Sequence, residues 1–173
     1  PRSYVDANIV GTFNMLQAAH EAEVEHLLLA STSSVYGANV DMPFDEQQAV
    51  AHPVSLYSAT KIAGEAMAHS YAHLHQLPIT MFRFFTVYGP WGRPDLALFK
   101  FVAAMLDGQP IDVYNQGQMA RDFTYVGDLV RAIHKLIDAV PARVDQRADT
   151  DYVAIEGDSL SPAAPWRTVN IGN

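Results

Sequence analysis

Apolar residues recur along this chain in two rhythms, helical stripes and short solid runs, separated by polar or glycine- and proline-bearing segments. From Val5 to Glu23, Ile9, Phe13 and Leu16 stand at offsets of four and seven, the spacing of one helical face, with Asp6 available as a cap. Gly11 inside that pattern costs a helix about 1 kcal/mol relative to Ala, which close packing against a neighbour would explain. The solid run His26 to Ala30 predicts a buried parallel strand. Asn39 to Pro53, with Pro43, Asp45-Glu46 and His52-Pro53, reads as loop. A helix is expected from Ser55 to His75, with Met67, Tyr71 and Leu74 on a related stripe serving the core or a subunit interface.

The rest of the chain keeps alternating. Ile79 to Phe85 predicts a strand, Thr86 to Pro94 a loop punctuated by Gly89, Pro90, Gly92 and Pro94, and Ala97 to Asp107 a helix. Ile111 to Tyr114 is expected as a short strand, Asn115 to Met119 as a turn, and Arg121 to Tyr125 as a second short extended piece. An amphipathic helix follows from Gly127 to Val140, carrying Leu129, Ile133 and Leu136. Pro141 to Pro165 turns small and polar and predicts an exposed loop, and Thr168 to Ile171 a last strand that the chain's end cuts short. Strands alternating with helices indicate an α/β fold with a doubly wound parallel sheet.

Chemistry concentrates between Ser31 and Lys61. The run Ser31-Thr32-Ser33-Ser34-Val35-Tyr36-Gly37 follows the first strand, so its hydroxyls emerge at the sheet's carboxyl edge, where open α/β sheets bind ligands. In Tyr57-Ser58-Ala59-Thr60-Lys61, the phenol and the amine are four apart, which on a helix sets their Cβ atoms about 5–6 Å apart. An ammonium near a phenol favours the phenolate, giving a base for an alcohol proton, and Thr32 can bond the same substrate hydroxyl. Such a site serves one half of a carbinol oxidation, whose hydride is accepted elsewhere. His69 and His73 are also four apart, with His75 nearby; no clear carboxylate accompanies them, so exposed helix polarity is favoured over a metal site.

Composition narrows the partners. With 173 residues, 49% hydrophobic, one domain with a buried core is expected. A net charge of -8, from 11 Lys+Arg against 19 Asp+Glu, argues against a nucleic-acid surface. Zero cysteines exclude disulfides and thiolate metal sites. With no leader pattern from Pro1 to His20 and no apolar run of about 18 residues, no membrane contact is expected and a cytoplasmic chain is inferred.

The hydroxyl cluster, the Tyr57/Lys61 pair and the strand after them together resemble the extended short-chain dehydrogenase/reductase superfamily, with its catalytic Ser or Thr, Tyr and Lys. The longer runs Arg83 to Asp95, Leu98-Phe99-Lys100-Phe101 and Ile111 to Asn115 are similar to UDP-glucuronate 4-epimerases of the NAD-dependent epimerase/dehydratase family. The related 4,6-dehydratases carry Asp-Glu directly after the Thr, and UDP-glucuronate decarboxylases a Glu in the second place; here Ser33 and Ser34 stand there.

The resemblance implies NAD as cofactor, a UDP-sugar as substrate, and 4-epimerisation through a 4-keto intermediate, with UDP-glucuronate to UDP-galacturonate the best match. It gives Thr32, Tyr57 and Lys61 catalytic roles; Lys61 also holds the nicotinamide ribose, and Tyr57, Asn8 and Tyr88 adjoin the cofactor. Ser33, Ser34 and Thr86 become sugar contacts along with Thr32. Arg93 clamps a carboxylate or is a plain loop arginine, and Arg121 meets the UDP phosphates or pairs with Asp122 or Asp128. Tyr114 borders the uracil or fills core, and Asn8 lies near the cofactor or on the dimer side of its helix. A homodimer through the helices bearing Val5 and Tyr57 is implied.

The likeness covers nearly all of the chain but only the middle of the family's length. No Gly-x-x-Gly-x-x-Gly or Gly-x-Gly-x-x-Gly run occurs, so an incomplete copy of the enzyme is expected. On that basis residues 1–90 form the carboxyl-terminal part of a dinucleotide-binding domain with the Tyr/Lys pair. Residues 91–173 mix a substrate-binding lobe with returning elements of the sheet. Two rivals remain: an epimerase acting on UDP-glucose or an N-acetylated sugar, and a catalytically silent fragment used in binding or oligomerisation.

Overall fold

The apolar runs at Leu27–Thr32 (β1), Ile79–Phe84 (β2) and Trp166–Ile171 (β5) pair in parallel in the order β1-β2-β5, with Leu27 opposite Ile79 and Ile79 opposite Trp166. In the computed structural model, residues 1–118, 120–148, 153 and 155–172 are described. Alternation along β2 sends Ile79 and Met81 to one face and Phe82 to the other. On the first face α2 (Gly11–Glu21) and α3 (Leu56–His75) contribute Leu16, Ala19, Ala68 and Ala72; on the second, α5 (Val126–Ile137) brings Leu129 against Phe82 and Ile171. Helices thus cover both faces, as a buried parallel sheet requires. No helix among the described residues is long and apolar enough to cross a membrane.

The chain enters α2 through a single turn, α1 (Arg2–Tyr4), and a π-helical segment, Val5–Val10. Asp6 is therefore inside helix rather than at its start, and pairs with Arg2 at 2.8 Å instead of capping. Phe13, read from spacing as sharing a helical face with Leu16, and Leu74, read as core or subunit interface, are 46% and 72% exposed; the burying face is the one of Leu16 and Ala19. Ser55 caps α3, its hydroxyl accepting from the Ser58 N–H at 3.0 Å.

Two further differences concern short elements. Ile111 to Tyr114 forms no strand: Val113 and Tyr114 are 61% and 72% exposed, and Tyr114 opens a 3-10 turn through Gly117. Thr86–Tyr88 (β3), expected as loop, pairs in parallel with Phe123–Tyr125 (β4), while α4 (Ala97–Leu106) lies between them in sequence. Within the expected loop 141–165, the Arg147 guanidinium donates to the carbonyls of Ala142, Ser161 and Ala164, and Pro141, Ser161, Ala164 and Pro165 are buried. Residues 149–152 and 154 of that loop, and Met119 of the expected turn, lie outside the described residues.

Candidate active site

β1 stops because its last side chain turns the backbone. Thr32 is extended, and its Oγ1 accepts from the Ser34 N–H at 3.2 Å, opening a 3-10 turn from Ser33 to Tyr36. Gly37 closes that turn at φ 55°, in the left-handed region. Ser31 and Thr32 are buried, Ser33 half-buried and Ser34 exposed, so the hydroxyls grade outward from the sheet edge.

α3 brings the second half of the site to this edge. Tyr57 lies in its first turn, half-buried, with its ring 5.7 Å from that of Tyr4. One turn on, Lys61 Nζ donates to the Ala30 carbonyl at 3.1 Å, which docks the ammonium on β1 two residues before Thr32. Burial lowers the Lys61 pKa from its ordinary value. Thr60 donates to the Tyr57 carbonyl at 2.8 Å and accepts from Asn8 Nδ2 at 3.0 Å. Asn8 therefore faces α3 from the π segment, a kind of helix irregularity frequent at functional sites.

An open cleft of about 1000 Å³ adjoins these groups, lined by Ser33, Ser34, Ser58, Thr86 and Arg121 and by Met42, Pro43 and Phe44. Thr32 and Tyr57 adjoin it through their neighbours Ser33 and Ser58. The β3/β4 ladder brings Thr86 and Arg121 together, with the Thr86 N–H donating to the Asp122 carbonyl at 3.3 Å. Arg121 is exposed and donates to the Ala120 carbonyl, and Asp128 pairs with Arg131.

Seven expected site residues are not among those lining this cleft: Thr32, Tyr57, Lys61 and Asn8, placed above, and Arg93, Tyr88 and Tyr114. Arg93 is bidentate to Asp95 at 3.0 and 2.5 Å on an exposed loop, and that carboxylate raises its pKa; Tyr57 and Tyr4 add smaller contributions of the same sign. Tyr88 stacks obliquely on Tyr125, with ring centres 5.7 Å apart. Tyr114 stands on its turn away from any strand. The rings of His69 and His73 engage Ser161 Oγ and the Ala163 carbonyl, and no metal-binding group of three His, Cys, Asp or Glu occurs among the described residues.

Sequence reasoning overlooked Glu65 and Arg83. Glu65 is the third member of a stripe at Tyr57, Lys61 and Glu65, and that spacing was the available signal. Its carboxylate accepts from Ser31 Oγ at 2.5 Å and from Arg83 at 3.1 and 2.8 Å, all buried.

Residues 1–149 match the sequence profile described as the NAD dependent epimerase/dehydratase family. The chain belongs to that family. A probable UDP-glucuronate 4-epimerase of Rhizobium meliloti is 54% identical over 172 residues, covering 99% of this chain and 49% of the relative. UDP-glucuronate 4-epimerase 1 of Arabidopsis thaliana is 43% identical over 177 residues, covering 100% and 39%. Among solved structures, a UDP-glucuronic acid 4-epimerase from Bacillus cereus in complex with UDP-glucuronic acid and NAD superposes with a TM-score of 0.75 at 30% identity, covering 97% of this chain and 46% of that one. The chain spans about half the length of the curated relatives it matches.

Proposed function

We propose that this family member contributes the catalytic half of an NAD-dependent UDP-sugar 4-epimerase, with UDP-glucuronate and UDP-galacturonate as the interconverted pair. The observation that carries the reading is the docking of the Lys61 ammonium on the tip of β1, one helical turn from Tyr57 and two residues from Thr32. The names of the relatives in Rhizobium and Arabidopsis support the substrate.

The residues present fit the nicotinamide end of NAD. Of the three Lys61 N–H groups, one goes to Ala30, and the others suit a ribose diol, with Tyr57 and Asn8 as its proposed neighbours; Tyr88, packed on Tyr125, would have to move to adjoin the cofactor. The cofactor supplies a reversible hydride acceptor for the sugar's C4. Tyr57 takes the proton from the 4-hydroxyl and gives it back after the keto sugar has turned over. Thr32 donates to the same oxygen, redirecting a hydroxyl that now donates to Ser34 Oγ at 3.3 Å. Ser33, Ser34 and Thr86 hold the sugar and Arg121 the diphosphate, while Tyr114, on its exposed turn, would have to move to border the uracil. The paired serines after Thr32 provide no carboxylic acid or base for elimination, which suits a reaction that needs none.

Arg93 is the candidate clamp for the uronate carboxylate. Its grip on Asp95 demonstrates the fork geometry, and a uronate would have to displace that side chain. The same occupancy favours a second reading, in which a neutral UDP-sugar is the substrate and Arg93 stays with Asp95. A homodimer is proposed across the exposed apolar side chains of Val10, Phe13, Met15 and Leu74.

The test is turnover of UDP-glucuronate, UDP-glucose and UDP-N-acetylglucosamine in competition by a full-length form of the enzyme, with products followed by NMR. Preference for the uronate, lost in Arg93→Ala, together with a fall in kcat of about 10²–10⁴ in Tyr57→Phe, is expected. Normal turnover by Tyr57→Phe would remove the proposed base, and a surviving uronate preference in Arg93→Ala would remove the clamp.

A further inference from the structure

The part of the cleft lined by Met42, Pro43 and Phe44 belongs to a segment without helix or strand between Asn39 and Pro53; of its apolar side chains Val40 and Met42 are 84% and 73% exposed, while Phe44 and Val50 are half-buried. Burial of so few side chains holds such a wall weakly, so its position depends in large part on hydrogen bonds to the sheet.

Those bonds run back to the catalytic helix. Glu65, one turn beyond Lys61, holds Arg83 through Nε and one terminal nitrogen. The other terminal nitrogen donates to the Tyr36 phenol oxygen at 3.0 Å and to the Glu46 carbonyl at 3.2 Å. Arginine only donates, so Tyr36 accepts from it, and the one phenol hydrogen is left for Asn170 Oδ1 at 2.8 Å. That bond fixes the orientation of the Asn170 amide, whose Nδ2 then donates to the Phe44 carbonyl at 2.9 Å. The Asn170 N–H also donates to Glu46 Oε1 at 2.7 Å, and the Tyr36 ring lies flat against Phe44, centres 4.4 Å apart. Burial pushes the Tyr36 pKa up, keeping the hydrogen that sets this direction.

We propose that Tyr36 and Asn170 are positioning residues that register the wall at residues 42–46 to the helix carrying Tyr57 and Lys61, and thereby set the affinity for the nucleotide sugar. The proposal rests on the cleft being the sugar site. The donors and acceptors are ordered in one direction along the relay, so no member can reverse without leaving another unpaired. The same Glu65 accepts from Ser31, next to Thr32, so wall and catalytic groups share one frame.

Tyr36→Phe removes the link while keeping the ring on Phe44, and Asn170→Ala removes it from the other end. In a full-length enzyme each is expected to raise KM for the UDP-sugar about tenfold with kcat within about twofold, as loss of uniform binding does. The double variant should show less than the summed effect. Cleavage by a glutamyl endopeptidase after Glu46 should accelerate in both by more than their fall in melting temperature accounts for. An unchanged KM, a fall in kcat without a rise in KM, or cleavage no faster than in the parent overturns the proposal. Should the parent turn over no UDP-sugar, the functional reading fails, and the cleavage rates still decide whether Tyr36 and Asn170 hold the wall.

Discussion

Removing the Glu65 carboxylate would leave the Arg83 guanidinium charged at 3% side-chain exposure, with the Tyr36 oxygen and the Glu46 carbonyl as its remaining partners. A buried charge stripped of its counter-ion costs more than the pair itself contributes, because desolvation of the survivor is no longer offset. Glu65→Ala is therefore expected to lower the unfolding free energy by about 3–5 kcal/mol. The double variant Glu65→Met with Arg83→Met, which removes both charges at similar volume, should recover much of that loss. Urea unfolding of the three proteins at one pH checks it. Equal losses in the single and double variants would mean that the hydrogen bonds to Ser31 and Tyr36, rather than the charge, dominate. At this scale the sequence was readable where chemistry is local. Tyr57, Lys61 and Glu65 fall on one stripe at a spacing of four. Asn8 and Thr60 meet across 52 residues, and nothing in either neighbourhood indicates the other.

Elements divide along the same line. The helices and the strands of the three-stranded sheet follow from periodicity, and their bounds fall within a few residues of those read from spacing, since each buries a face that the pattern records. β3 escaped because three residues establish no period and its partner is remote in sequence, whereas β4 falls inside the extended piece expected at Arg121 to Tyr125. Ile111 to Tyr114 has strand-forming residues but pairs with no strand among the described residues, and the chain there stays exposed. The turn from β1 into the wall segment has a glycine whose role depends on a contact outside it. A Cβ at Gly37 would stand 2.1 Å from the His52 carbonyl oxygen and 2.9 Å from its carbon, on a backbone already at φ 55°. Both are main-chain atoms, and the Ala38 N–H donates to the same His52 oxygen at 3.1 Å, so relief requires moving the wall. Gly37→Ala is expected to cost more than about 2 kcal/mol and to open the segment 39–53 to protease. Thermal melting and limited proteolysis measure both; a melting temperature equal to the parent's would show that the segment at His52 gives way freely.

Across the whole molecule, both faces of the sheet must stay covered, and His26 fastens one of them. From the start of β1 its Nδ1 donates to the Ile137 carbonyl at 3.1 Å, at the end of α5. Its Nε2 then accepts from Thr80 Oγ1 at 3.0 Å, a hydroxyl that is fully buried in β2. This assignment holds for the neutral ring, since the carbonyl requires N–H at Nδ1 and leaves Nε2 as acceptor. Burial lowers the His26 pKa from 6.5, the Arg167 charge adds to that, and the bond to Ile137 opposes it; His69 is lowered as well, by burial and by His73. The folded state therefore binds fewer protons than the unfolded chain as pH falls through about 6.5, and stability declines with acid in that window. It is fully present above the unfolded value and lost as pH descends through the folded one. Denaturant midpoints measured from pH 8 down to pH 5.5 are expected to fall, and His26→Asn, whose amide can still donate to Ile137, should flatten the slope while His69 preserves part of it. A slope unchanged by His26→Asn would mean that the ring protonates as readily in the folded protein as in the unfolded chain, and that α5 is held to the sheet by Leu129, Ile133 and Leu136 without it.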